Sequence, residues 1–139
     1  MRFEGSREHK EPDYSTPALV RDPDKCILCR RCVAVCEKVQ GVHAIGPLGR
    51  GMDTVVGPAW GETMAESPCV MCGQCILVCP VGALYERDYT EEVWKAIHDP
   101  AKHVVVQTAP ATRVAIGEPF GLPPGSISTG KMVAALRRL

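Results

Sequence analysis

Two stretches of this sequence repeat one cysteine spacing. CILCRRCVAVC contains Cys26, Cys29, Cys32 and Cys36, and CVMCGQCILVC contains Cys69, Cys72, Cys75 and Cys79. Each reads C-x2-C-x2-C-x3-C, and together they hold all eight cysteines of the 139-residue chain. Structural zinc usually takes two separated ligand pairs and makes no use of a crowded third cysteine. A disulfide framework requires an oxidising compartment. The opening MRFEGSREHKEPDY has no apolar signal region, and no apolar run approaches the roughly 20 residues that span a bilayer. The expected location is therefore the cytoplasm, where clustered cysteines are ligands more often than cross-links.

Two-residue spacing lets three successive thiolates curl around a compact cubane, and the fourth cysteine begins a helical turn that leads away from it. In bacterial ferredoxins with two clusters, that last cysteine serves the other cluster. The expected ligand sets are Cys26, Cys29, Cys32 and Cys79 for one 4Fe-4S cluster, and Cys69, Cys72, Cys75 and Cys36 for a second. Gly73 and Gly82 would let the backbone approach, and Pro80 fixes the turn after Cys79. Glu37 stands where the simple pattern has proline, so VAVCEKVQ is expected to extend as a helix. Lys25, Arg30, Arg31 and Lys38 surround the first run; they either offset the cluster's negative charge or form a solvated face.

Only 5% of the residues are aromatic, while 13 are glycine and 12 proline. Such a loop-rich chain needs something other than packed side chains to hold its core. Sixteen basic residues balance sixteen acidic ones, which gives no argument for nucleic acid or an acidic membrane surface as a partner. Between the two runs, DTVV is expected as a short strand in a hairpin or flap over a cluster, with Trp60 packing inside it.

Beyond the second run, YTEEVWKAIHDP predicts a helix with Thr90 as N-cap, Glu91 and Glu92 in its first turn, Val93, Trp94 and Ile97 on one face, and Asp99-Pro100 as its stop. HVVVQT reads as a strand of the kind buried in a parallel sheet, and APATRVAIGE as a short helix opened by Pro110 and ended near Gly117. STGKMVAALRRL reads as a helix with Met132, Val133, Leu136 and Leu139 on one side. GSISTGKM approaches a phosphate-binding loop, but Met132 replaces the hydroxyl residue and a Pro-Pro pair replaces the strand before it. His9, His43, His98 and His103 show no ligand spacing.

RDPDKCILCRRCVAVCEKVQGVHAIG, RGMDTVV and CVMCGQCILVCPVGALYE resemble the two-cluster ferredoxin module of iron-only (FeFe) hydrogenases. VVVQTAPATRVAIGEPFG and STGKMVAALRRL resemble the opening of their catalytic domain. The resemblance runs from about Val20 to Leu139. It implies an α+β chain: an arm or linker over 1–21, a 2×4Fe-4S bacterial ferredoxin-like domain over 22–89, a linker helix over 90–102, and over 103–139 an incomplete piece of an α/β domain. It also implies that Ala109, Pro110 and Ala111 line the active-site cavity. The catalytic H-cluster of that family needs four further cysteines, so these 139 residues alone are not expected to turn over hydrogen.

The function implied is electron transfer as the relay segment of an iron-only hydrogenase, electron-bifurcating members included. The partners implied are other redox subunits or domains of a hydrogenase-type complex, and a donor or acceptor such as ferredoxin or a flavin or NAD(P)H subunit. Two alternatives share the cysteine motifs. One is a free-standing ferredoxin-like subunit that docks on a partner oxidoreductase. The other is the relay fragment of a formate dehydrogenase.

Overall fold

A computed structural model describes residues 9–138. The chain divides into two compact units, Met1–Tyr89 and Thr90–Leu139.

In the first unit, strand β1 (Leu19–Arg21) pairs antiparallel with β4 (Leu84–Glu86), with Val20 opposite Tyr85. Strands β2 (Gly46–Leu48) and β3 (Val55–Gly57) form a second antiparallel pair, with Pro47 opposite Val56. Proline is tolerated in β2 because a two-stranded ladder leaves one edge of each strand unpaired. Helices α1 (Arg31–Lys38) and α2 (Gln74–Leu77) pack together, each starting inside a cysteine run. The expected hairpin over DTVV is present, and it buries Val56. Trp60 does not pack inside it: the residue is 91% exposed, and its backbone lies in the left-handed region at φ 58°.

The segment expected as an arm or linker over 1–21 contributes structure from Asp13 onward. Leu19 and Val20 are buried, as is Thr16, whose hydroxyl donates to Leu19 O at 2.7 Å and accepts from Leu19 N at 3.1 Å. A three-residue strand is too short to show periodicity. Its burial follows only from its pairing with β4, far along the chain.

The core of this unit gathers Leu19, Ile45, Val56, Met64 and Leu84 around Cys32 and Cys75. Two of its seven members are thus candidate ligands, which leaves few aliphatic side chains to close a fold of this length.

Asp13 ties three segments together. Its carboxylate accepts from Met64 N at 2.7 Å and Ser15 N at 2.9 Å, and lies 3.9 Å from Arg21 Nε, while its backbone pairs with that of Arg21. Burial alone would raise the pKa of this carboxyl. The hydroxyl and amide of Ser15, the Met64 amide and the Arg21 charge outweigh burial and hold it below the ordinary carboxylate value. A depressed folded-state pKa contributes stability that is complete well above the unfolded value, near 3.9, and is lost as pH falls through the folded one. Asp13→Ala is therefore expected to cost about 1–3 kcal/mol at pH 7. In thermal melts, the gap to wild type should stay constant above about pH 5 and narrow only below it.

In the second unit, α3 (Thr90–His98) starts on the residue expected as its cap and ends before Asp99, whose carboxylate accepts from Ala101 N at 3.0 Å. Its apolar face is open to solvent: Val93, Trp94 and Ile97 are all exposed. Helix α4 (Thr112–Ala115) packs on α5 (Thr129–Leu136), and Ser128 joins them by donating its hydroxyl to Arg113 O at 2.6 Å and its amide to the same oxygen at 2.9 Å. On the expected face of α5, Met132 is buried, Val133 and Leu136 are exposed, and Leu139 lies outside the described residues.

The strand expected over HVVVQT is not formed. Residues 102–109 carry no regular structure, and Val105 and Val106 are exposed. A strand exists by pairing, and among the described residues none pairs with this segment.

Candidate metal centres

The two cysteine runs share a backbone conformation as well as a spacing. In the first, Leu28 (φ 58°) and Arg30 (φ 60°) are left-handed; in the second, the equivalent residues Met71 (φ 54°) and Gly73 (φ 74°) are. Left-handed residues alternating with ordinary ones turn successive N–H groups to one side, forming a concave nest for anions. In each loop an amide already donates to sulfur: Leu28 N to Cys26 Sγ and Met71 N to Cys69 Sγ, both at 3.4 Å. For Leu28, Arg30 and Met71 this conformation costs about 1–2 kcal/mol each. A bound anion repays that cost. The chemistry here favours an anionic cluster with its thiolates.

The third cysteine of each run, Cys32 or Cys75, lies buried in the first turn of its helix. The fourth, Cys36 or Cys79, receives an amide from the returning chain: Ala44 N to Cys36 Sγ at 3.4 Å and Ala83 N to Cys79 Sγ at 3.2 Å. The residue before each donor is left-handed, His43 (φ 57°) in one half and Gly82 (φ 61°) in the other. A Cβ on Gly82 would meet nothing within 4 Å, so substitution there adds backbone strain without a clash. Gly82→Ala is expected to lower stability by about 1 kcal/mol and His43→Gly to raise it by a similar amount. Thermal melting of the two loaded variants checks both.

Cysteines from different runs come together. Cys36 lines one apolar cavity with Cys69, Cys72 and Cys75, closed by Leu19, Ile45 and Met64. The thiols acting electrostatically on Cys32 are Cys26, Cys29 and Cys79; those acting on Cys75 are Cys69, Cys72 and Cys32. Burial is the main cause pushing the Cys32 and Cys75 thiols up to about 11. Cys79 moves the other way: burial pushes it up, but the amides of Val81, Leu84, Ala83 and Gly82 prevail and hold it below the ordinary thiol value. Buried thiols of this kind become thiolates when a metal supplies the compensating charge. Among the described residues, no three His, Cys, Asp or Glu side chains form a single-ion site. In a cubane each thiolate binds its own iron, so convergence on one ion is not what such a group requires.

Residues 16–85 match the family described as NADH-quinone oxidoreductase subunit 3, ferredoxin-like domain. The chain belongs to this ferredoxin-like iron-sulfur family. Residues 102–139 match a second family, the iron only hydrogenase large subunit, C-terminal domain. The chain is 49% identical over 135 residues to the NADP-reducing hydrogenase subunit HndD of Solidesulfovibrio fructosivorans, covering 97% of this chain and 23% of that protein. It is 39% identical over 127 residues to iron hydrogenase 1 of Clostridium pasteurianum, covering 91% and 22%. It thus spans less than a quarter of the length of these two relatives. Among solved structures, an NAD+-reducing [NiFe]-hydrogenase in the H2-reduced state matches with a TM-score of 0.53 and 28% identity, over 61% of this chain and 36% of that one. The resemblance to iron-only hydrogenases therefore extends through both units. No helix among the described residues is long and apolar enough to cross a membrane.

Within the ferredoxin-like domain, sequence reasoning missed the return amides that serve the fourth cysteines. The signal was available: Val42-His43-Ala44-Ile45 after the first run parallels Val81-Gly82-Ala83-Leu84 after the second. Of the four cations around the first run, Lys25 is engaged elsewhere, 2.9 Å from Asp22 and over the Tyr85 ring at 4.9 Å. Arg30, Arg31 and Lys38 are exposed.

Proposed function

We propose that this chain is the electron-relay segment of an iron-only hydrogenase, holding two 4Fe-4S clusters. Cys26, Cys29, Cys32 and Cys79 would bind one cluster, and Cys69, Cys72, Cys75 and Cys36 the other. What supports this reading is that Cys36 shares a cavity with Cys69, Cys72 and Cys75, while the thiols acting on Cys32 are Cys26, Cys29 and Cys79, as crossed fourth cysteines would require. When bound, the clusters would supply one-electron chemistry. The chain's own part is to hold them in adjacent nests, to set their potentials through amides at sulfur, and to exclude water with Leu19, Ile45 and Met64. Cys32 and Cys75 are buried in one core cluster, so the two centres would lie side by side.

The tail supports the hydrogenase reading over the formate dehydrogenase alternative, because both hydrogenase relatives align through it. Catalysis of hydrogen chemistry, an NAD(P)H-linked or ferredoxin partner, and residues 103–139 as the opening of an α/β catalytic domain belong to the same proposal. The test is anaerobic reconstitution followed by electron paramagnetic resonance. Iron and sulfide for two 4Fe-4S clusters, with reduced signals broadened by mutual interaction, are expected. A single cluster, or a cluster of another type, would overturn the assignment.

A further inference from the structure

Helix α1 presents two different stripes. Cys32 and Cys36 belong to the inward one. Arg31, Ala34, Val35 and Lys38 follow the i, i+3, i+4, i+7 spacing of a single face, and that face lines an open groove of about 640 Å³ between α1 and α2. The groove has small and apolar residues in the middle and a cation at each end of its α1 side. Two of its apolar members stand well out in solvent, Val39 at 70% exposure and Leu77 at 79%. Cys79 also lines it.

Three features indicate what fits there. No acidic residue lines the groove. Lys25, Lys95 and Lys102 each have a carboxylate partner, whereas among the described residues Arg31 and Lys38 have none. An apolar centre with a charged rim is the anatomy of a transient protein interface. Two cations on a chain of zero net charge are a poor footprint for nucleic acid.

Building on the relay reading, we propose that this groove is the docking face for an acidic redox protein, which exchanges electrons with the cluster at Cys26, Cys29, Cys32 and Cys79. Cys79 would be the ligand nearest the visitor. The partner's matching surface is a ring of carboxylates around an apolar spot, close to its own one-electron centre. Contacts of this sort bury little area and exchange quickly, which suits turnover.

The test is stopped-flow electron transfer from a small acidic ferredoxin, used as the probe, to the cluster-loaded full chain under anaerobic conditions. The second-order rate is expected to fall as salt is added. Arg31→Glu with Lys38→Glu should lower it about 10-fold or more at low ionic strength, and the two curves should converge at high salt. Leu77→Ser should lower it at every ionic strength. Reversal at Arg137 and Arg138, in the second unit, should leave it unchanged. Where the doubly reversed chain loads poorly, Arg31→Gln with Lys38→Gln is expected to show a smaller loss in the same direction.

A rate indifferent to Arg31 and Lys38, or equally sensitive to Arg137 and Arg138, overturns the docking face while leaving the relay reading intact. A wild-type dimer that the groove variants make monomeric overturns it in favour of self-association. A wild-type chain that binds no cluster overturns the relay reading and the docking face together.

Discussion

Removing Cys79 together with Cys26 is expected to leave the chain with one cluster, whereas removing Cys79 together with Cys69 leaves it with none. The asymmetry follows from the proposed crossing. Cys79 lies ten residues from Cys69 in sequence, but it acts on Cys32 alongside Cys26 and Cys29. Cys36 lies in the cavity of the second run. In a crossed arrangement Cys26→Ala and Cys79→Ala damage the same centre, so the second mutation adds little. Cys69→Ala and Cys79→Ala damage one centre each. Iron and sulfide analysis of the three single variants and these two pairs, with spectra of the reduced proteins, reads the outcome directly. The reverse pattern, with two clusters' worth lost in the Cys26 and Cys79 pair, would mean that each run serves its own cluster.

Stripping the metal should unfold the first unit. Its core holds five aliphatic or thioether side chains around two candidate ligand cysteines, and its strands are three residues long. The left-handed backbone at Leu28, Arg30 and Met71 is unfavourable without a cluster to receive the amides. Removing a buried cluster also leaves Cys32 and Cys75 lining voids. In small domains stapled by metal, the binding free energy, of order 10 kcal/mol, is in effect the folding free energy. Anaerobic chelation is thus expected to collapse the dispersed amide resonances of residues 9–89 and abolish a cooperative thermal transition. A chelated chain that kept its dispersion and its melting transition would show that packing alone maintains the fold.

The candidate ligand residues were legible in the sequence because their spacing is local. C-x2-C-x2-C-x3-C is a statement about thiolates within one turn of chain, and it needs no knowledge of distant partners. The helix over Thr90–His98 was legible for the same reason, with its acidic first turn and Asp-Pro stop. The failures all concern contacts. HVVVQT has the composition of a buried strand, but composition does not provide a neighbour to pair with. Trp60 has the bulk of a core residue, yet Gly61 and a left-handed backbone at the tryptophan itself accompany a turn that leaves the ring in solvent. Lys25 sat in a basic cluster in sequence and proved to be held by Asp22 and Tyr85.

The eight candidate metal ligands, the twofold repeat that carries them and the resemblance of the tail to a hydrogenase domain can all be read before the chain folds. These rest on residue identity and short-range spacing. Tertiary structure alone decided that Leu19–Arg21 closes the domain against Leu84–Glu86, that Asp13 ties Ser15, Arg21 and Met64 together, and that Arg31 and Lys38 look outward over a groove while Cys32 and Cys36 look inward. Each of these joins residues far apart in the chain or separates near neighbours on one helix. Their energetics depend on burial and partners that exist only once the chain has folded.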